Sequence, residues 1–311
     1  MKPITIRALQ VFDAVATSGS YSRAADQLAM TQPGVSMQIR QLESALGVAL
    51  FDRQHRQRLT DAGRDLLQHA RIIQNQLRAA EDAMAAYAES GHGGPAGGLR
   101  GLLHLGVVST ANYFAPPLLQ RFGQLHPALR MKLTVGRRAE LLAMLQDHEL
   151  DIAITGYPPS EADVEATTFA RNPHCIIAHP QHPLAARPQL RWADLGDERF
   201  IFREPGSATR HFLESLLQQQ ALQVRAGMEL AGNETVKQAV MCGMGISFLS
   251  AHAFQAELQA GLIAVLDVVD FPKWVDWCVV QRRDRQLGAV HAAMRDFVIA
   301  HGADCARCRL R

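Results

Sequence analysis

Residues 20–46, SYSRAADQLAMTQPGVSMQIRQLESAL, decide the fold. Two short helical patterns meet there at a polar break. Ser20 is placed to cap a first helix over residues 21–28, in which Ala24, Ala25 and Leu28 recur at helical spacing. Ala29-Met30-Thr31 makes a tight turn. Thr31 caps a second helix, and Pro33 fits its first turn, where a missing N–H costs no hydrogen bond. Val35, Ile39, Leu42 and Leu46 step by four, three and four, so one stripe faces a core and Gln32, Ser36, Met37 and Arg40 occupy the other side. Two helices joined by so short a turn form a helix-turn-helix, which offers side chains to the DNA major groove. An ordinary helical hairpin with a solvated face has the same spacing.

Working outward, residues 5–18 read as a preceding helix with Ile6, Leu9, Phe12, Val15 and Ala16 on its apolar face and Gly19 as its stop. Downstream, Gly47 ends the second helix and Leu50-Phe51 return to the core. Residues 52–58, DRQHRQR, then form a polar excursion suited to a wing along phosphates or the minor groove, with Arg53 and Arg56 holding the backbone. Thr60 caps a long helix over residues 60–90. Its Leu66, Ala70, Ile73, Leu77, Ala80, Met84 and Tyr87 alternate steps of four and three, a narrow stripe that wants a partner helix. Leu66, Ile73, Leu77 and Met84 are therefore the candidate dimerisation residues. Residues 91–100 follow as a glycine-rich hinge.

Charge does not carry the DNA reading. The net charge of the 311 residues is +2, and residues 1–90 hold ten Lys/Arg against nine Asp/Glu, so the case rests on local placement. Arg7 and Asp13 interrupt what a signal peptide would need as its apolar core, and the two uncharged runs, 101–120 and 238–256, are broken by prolines, glycines and polar residues. A cytoplasmic protein with no membrane partner is expected. Five scattered cysteines argue against a disulfide framework, and Cys305-Ala-Arg-Cys308 reads as part of a frayed basic tail.

The wording of residues 20–53 resembles the N-terminal domain of LysR-type transcriptional regulators: Ala24-Ala25, then TQPGVSMQIRQLE over residues 31–43, then Leu46-Gly47, Leu50-Phe51 and Arg53. That resemblance implies pairing through the linker helix, hence a symmetric homodimer reading an inverted repeat of double-stranded DNA. It also implies a dimer of dimers, with RNA polymerase as a candidate partner. On the DNA-reading side it points to Ser20, Ser22, Thr31, Gln32, Pro33, Ser36, Met37, Arg40, Arg53 and Arg56.

From residue 101 the pattern changes to α/β. Strands are expected at 102–108, 130–135, 151–155, 175–179, 200–203, 227–230, 246–249 and 274–281. Helices are expected at 113–125, 140–146, 209–220, 234–242, 251–259 and 287–301. Such alternation predicts a parallel sheet. The expected fold is thus α plus α/β: a winged helix-turn-helix (1–59), a linker helix (60–90), a hinge (91–100) and an effector domain (101–311). The LysR resemblance implies a two-lobed, periplasmic-binding-protein-like effector domain, lobe I holding 101–167 and 271–302 and lobe II 168–270.

Polar segments follow the strands at 109–112, 204–210 and 232–235, each opening a helix whose free N–H groups suit a carboxylate or phosphate. STANYFAPPLL, LTVGRRAELL, ELDIAITGYPP, REPGSATR, GNETVKQAVMCGMGISFLS and WCVVQRRDRQL resemble the CbbR-type LysR regulators, activators of carbon-fixation operons. That likeness implies a small anionic effector reporting carbon or redox state. Its candidate site residues are Ser109, Thr110, Asn112, Arg137, Thr155, Arg203, Ser207, Thr209, Arg210 and Asn233. Arg137-Arg138 departs from an expected Asn-Arg and adds a positive charge.

Enzyme readings lack their motifs: no G-x-S-x-G, no HExxH and no metal-spaced carboxylates occur, so no catalytic residue, metal or cofactor is expected. His174, Cys175, His179 and His182 are explained by a strand and a following loop. Two alternatives stay open: a LysR-type regulator with an aromatic or amino-acid effector, and a solute-binding or enzymatic α/β protein with an incidental helical N-terminus.

Overall fold

The computed structural model describes residues 4–52, 58–90, 99–157, 163–283 and 287–310; for residues 75, 78, 79, 82, 83, 85–90 and 226 it describes the backbone alone. The chain forms two compact units, Met1–Gly97 with Asp147–Glu149, and Gly98–Gln146 with Leu150–Arg311.

In the first unit, α1 (Ile6–Ser18) starts at Thr5, whose hydroxyl accepts the Ala8 N–H at 3.1 Å, and stops at Gly19 in the left-handed conformation. Helices α2 (Tyr21–Gln27) and α3 (Gln32–Leu46) follow, capped by Ser20 and Thr31. Leu9, Phe12, Val15, Ala24, Val35, Ile39 and Leu42 meet in one core with Leu50 and Phe51. Ile6 departs from its expected core position and is 41% exposed, because α1 centres its buried face on Ala8, Val11 and Phe12.

Glu43 closes the return of the chain: one carboxylate oxygen accepts the N–H groups of Leu50 and Phe51 at 2.8 and 3.3 Å. Phe51 and Leu59 then pair as an antiparallel bridge, and the Asp52 N–H donates to the Arg58 carbonyl at 2.8 Å, the base of a wing. Arg53 and Arg56 lie outside the described residues.

Helix α4 (Asp61–Ser90) starts under this return, where Thr60 caps the Gly63 N–H at 3.0 Å. A Cβ on Gly63 would lie 2.1 Å from the Leu50 carbonyl oxygen, so only glycine permits that approach. Leu66 packs on the winged-helix core, whereas Ile73 and Met84 are exposed. Leu77 is half-buried.

The second unit contains β1 (Gly101–Val108), α5 (Ala115–Leu125), β2 (Leu129–Gly136), α6 (Arg138–Gln146), β3 (Ile152–Gly156), β4 (Val164–Ala178) and β5 (Arg199–Arg203). It continues through α7 (Ala208–Gln219), β6 (Arg225–Leu230), α8 (Asn233–Met241), β7 (Ile246–Ser250), α9 (Gln255–Gln259), β8 (Ala264–Val265), β9 (Lys273–Arg282) and α10 (Ala289–Cys305).

One sheet runs β2-β1-β3-β9-β4-β7-β5-β6, with β8 beside β4. It is mixed, not parallel as the alternation predicts. The β1–β2, β1–β3, β5–β6 and β5–β7 pairs are parallel, while β9 runs antiparallel to β3 and β4, and β4 antiparallel to β7. The cause is that the long strands β4 and β9 cross between two halves, and each half keeps its own right-handed parallel set.

Two cores result in each half. Leu105, Phe122, Trp277, Met294 and Val298 gather under α5 and α10, and Leu141, Leu145, Leu150 and Val280 under α6. In the other half, Phe200, Leu213, Leu217 and Phe248 gather under α7, and Val236, Val240, Leu249 and Phe254 under α8. This is a two-lobed α/β domain. The expected lobe division at 167/168 falls inside β4.

The C-terminal segment is built into the fold rather than frayed. His252 Nε2 donates to the Ala306 carbonyl at 2.9 Å, and Gln255 exchanges two hydrogen bonds with the Arg309 backbone, each 2.9 Å. Cys308 and Leu310 pack against the α8 core, and burial pushes the Cys308 thiol up to about 12.

Candidate DNA-reading surface and ligand cavity

Gln32, Pro33, Met37 and Arg40 are exposed on α3, opposite the buried Val35, Ile39 and Leu42. Arg40 reaches one turn back, its Nη2 donating to Ser36 Oγ at 3.2 Å. With Gln41 and Ser44, which the sequence reading passed over, these residues line one shallow groove. Met37, 55% exposed, is an apolar side chain held in solvent at the centre of a polar strip. That combination suits base edges: amide and guanidinium for hydrogen bonds, and a thioether for a thymine methyl. Ser20 and Thr31 spend their hydroxyls on helix caps, accepting the N–H groups of Arg23 at 3.4 Å and Gly34 at 3.2 Å, and Ser22 is exposed in the first turn of α2.

In the second unit, a cavity of about 270 Å³ opens where the parallel strands of both halves end. Val108, Gly136, Gly156 and Arg203, the last residues of β1, β2, β3 and β5, all line it, the usual location of a ligand site in such sheets. Of the candidate residues, Ser109, Thr110, Arg137, Arg203, Ser207 and Thr209 meet in it. Ser207 leads into the free N–H groups of α7, and Gly206 adopts φ +82°, a left-handed turn that brings the backbone to the rim. A Cβ on Gly206 would sit 4.0 Å from Arg137 Nη1, which places that guanidinium beside the start of α7.

The other four candidates lie elsewhere. Asn112 is exposed outside the lining, and Thr155 is fully buried within β3 with no hydrogen-bond partner for its hydroxyl among the described residues. Arg210 is outside the lining, its guanidinium held by Glu214 at 2.8 Å, Glu229 at 2.5 Å and the Arg203 carbonyl at 3.0 Å. Asn233 stands behind the wall and accepts a hydrogen bond from Arg203.

Arg203 is not a free cation. Its Nε and Nη2 grip the Glu204 carboxylate at 2.7 and 2.8 Å, and those bonds hold the Glu204 carboxyl down at about 2 against the effect of burial. The lining nonetheless carries three guanidiniums, of Arg137, Arg138 and Arg203, against two carboxylates, of Glu140 and Glu204. Among the described residues no carboxylate pairs with the Arg137 side chain. An anion therefore finds net positive charge together with a helix start.

The sequence reading missed the back wall. Asn172 and His174 on β4 and Val275 and Trp277 on β9 line it, and the pairing Asn172↔Val275 and Ala170↔Trp277 puts them on one face. His174 stacks on Phe248 at 5.3 Å, and burial lowers its pKa to about 3; His252, behind the wall, is lowered to about 4 for the same reason. Both rings are neutral at pH 7. The available signal was their spacing of two along each strand.

Near the cavity, Tyr113 donates to Glu234 Oε1 at 2.6 Å, joining the segment after β1 to α8, while buried Lys237 pairs with Glu234 and Glu257 at 2.9 and 2.7 Å. Among the described residues no cluster of three metal-ligating side chains occurs, and no helix is long and apolar enough to cross a membrane.

A helix whose polar face suits base edges on one unit and a cavity of net positive lining in a two-lobed domain on the other fit the class of ligand-responsive DNA-binding regulators. Comparison with known proteins agrees: residues 6–64 match the bacterial regulatory helix-turn-helix of the lysR family, and residues 96–303 the LysR substrate binding domain. The chain belongs to the LysR family of transcriptional regulators. It is 40% identical to the RuBisCO operon transcriptional regulator of Allochromatium vinosum, covering 99% of both chains. It is 39% identical to the transcriptional regulator CfxR of Cupriavidus necator, covering 98% of this chain and 94% of that one. Among solved structures, the regulatory domain of Synechocystis CcmR in complex with 2-PG is 36% identical, with a TM-score of 0.62, over 65% of this chain and 97% of that chain.

Proposed function

We propose that this protein regulates a carbon-fixation operon and that the cavity at the strand ends binds the small anionic metabolite that sets its activity. The observation that carries the reading is the meeting of Arg137, Ser207, Thr209 and the start of α7 in one cavity, in a chain about 40% identical along its whole length to a RuBisCO operon regulator. A two-lobed domain couples binding to shape, because a ligand that touches both lobes favours one lobe arrangement over another.

The exposed stripe of Ile73 and Met84 on α4 supports a homodimer through this helix, which presents two copies of α3 to an inverted repeat. The groove on α3 is the base-reading surface. Catalysis has no part in this reading, and a regulator of an operon works in the cytoplasm.

Isothermal titration of the full chain with inorganic phosphate, phosphoglycolate, benzoate and glutamate tests the effector class. Phosphorylated anions should bind, and Arg137→Ala should weaken them on the order of tenfold, the worth of a charge-assisted hydrogen bond. Binding of benzoate or glutamate alone would place the protein among LysR-type regulators of other effectors.

A further inference from the structure

We propose that Asn172 and His174 determine which anion the cavity accepts: side by side on β4, they form a donor–acceptor pair that holds a hydroxyl group of the ligand. The inference rests on the small-anion reading above and names a second functional group for that ligand.

Asn172 and His174 line the cavity and are otherwise buried, at 3% and 4% exposure, so the surface they keep faces it. Two residues apart on one strand, they project from the same face of the sheet. Each commits one end of its polar group inside the protein. The Ser250 hydroxyl donates to Asn172 Oδ1 at 2.6 Å, and His174 Nδ1 lies 3.3 Å from the Asn172 backbone carbonyl oxygen. The other ends, Asn172 Nδ2 and His174 Nε2, have no hydrogen-bond partner among the described residues, yet unlike the Trp277 indole nitrogen neither is closed off from solvent.

A carbonyl oxygen only accepts, so the His174 ring carries its proton on Nδ1 and presents a lone pair at Nε2. Burial lowers its pKa to about 3, and the ring stays neutral at pH 7. Phe248, stacked at 5.3 Å, and Phe212, edge-on at 5.5 Å, fix its orientation. The wall therefore presents an acceptor from the imidazole and a donor from the amide. A hydroxyl is the group that answers both, donating its proton to Nε2 and accepting from Nδ2. A carboxylate oxygen meets the amide but faces the imidazole lone pair. With Arg137 and the start of α7 at the same cavity to hold a phosphate, the ligand is a short phosphorylated alcohol.

The test titrates the full chain, by calorimetry, with glycerol 3-phosphate and with propyl phosphate, which has the same carbon chain and phosphate without the hydroxyls. Glycerol 3-phosphate should bind tighter on the order of tenfold, the worth of such hydrogen bonds. His174→Phe, which keeps a flat ring between Phe212 and Phe248, should abolish that preference. Equal affinities in the unsubstituted chain overturn the proposal, as does a preference that survives in His174→Phe. If neither compound nor inorganic phosphate binds the unsubstituted chain, the small-anion reading itself falls.

Discussion

His174 and His252 are two imidazoles in the interior of a domain, with no carboxylate bonded to either ring among the described residues. Burial lowers their pKa values to about 3 and about 4, from 6.5. Below pH 6.5 the unfolded chain takes up protons that the folded chain refuses. Stability is therefore full above pH 6.5 and is lost as the pH falls toward 4, by about 2 kcal/mol per histidine at pH 5. Urea unfolding at pH 7 and pH 5 should show that loss, and His174→Phe should remove about half of it. Glu204 acts in a lower window: its carboxyl, held at about 2 by Arg203, stabilises the fold above its ordinary value of 4.5 and loses that contribution as the pH falls from there toward 2. The histidine shifts were not legible in the sequence, since burial in the folded domain causes them; Arg203 is the sequence neighbour of Glu204, but that their side chains pair shows only in the structure.

Among the elements, the recognition helix was the most legible and the first part of the crossing strand β4 the least, whereas its partner β9 was expected within a residue of where it lies. Helix α3 is specified by its own short stretch: a cap at Thr31, an apolar stripe at 35, 39 and 42, and a stop at Gly47. The side chains left over on its outer face are then the reading surface by default. Gln32→Ala should relax sequence preference at one base position by about 1–3 kcal/mol. Arg40→Ala should weaken binding to cognate and mutated sites alike and reduce the salt slope, in titrations of labelled duplexes at several salt concentrations, if its contact is to phosphate.

Strand β4 shows why the rest was hidden. Its first residues, VEATTFARNP over 164–173, alternate poorly and contain a proline, and their partner β9 lies about a hundred residues downstream. A bulge between Thr168 and Ala170 disturbs the register further. Local pattern therefore located only the final, fully buried part of the strand, and with it the wall of Asn172, His174, Val275 and Trp277 went unseen.

At the scale of the whole molecule, two units share one chain because reading DNA and sensing a metabolite need different surfaces. The first unit offers the polar face of α3, and in the second the cavity proposed for the ligand opens where strand ends from both lobes meet. Two of the three arginines in the candidate set are already committed. Arg203 is clamped by Glu204, and Arg210 by Glu214 and Glu229, which leaves Arg137 as the exposed cation of the candidate set at the cavity. The extra charge of Arg137-Arg138 thus lines the cavity proposed for the effector. The central claim is that the cavity governs how the chain engages DNA. Nuclease footprinting of the full chain on the promoter region of the carbon-fixation operon proposed as its target, with and without saturating phosphoglycolate, tests it most directly. A footprint whose length or hypersensitive bands change with ligand, and which no longer changes in Arg137→Ala, is the expected result. A footprint identical in both states, at a concentration where calorimetry shows the cavity filled, would contradict the account.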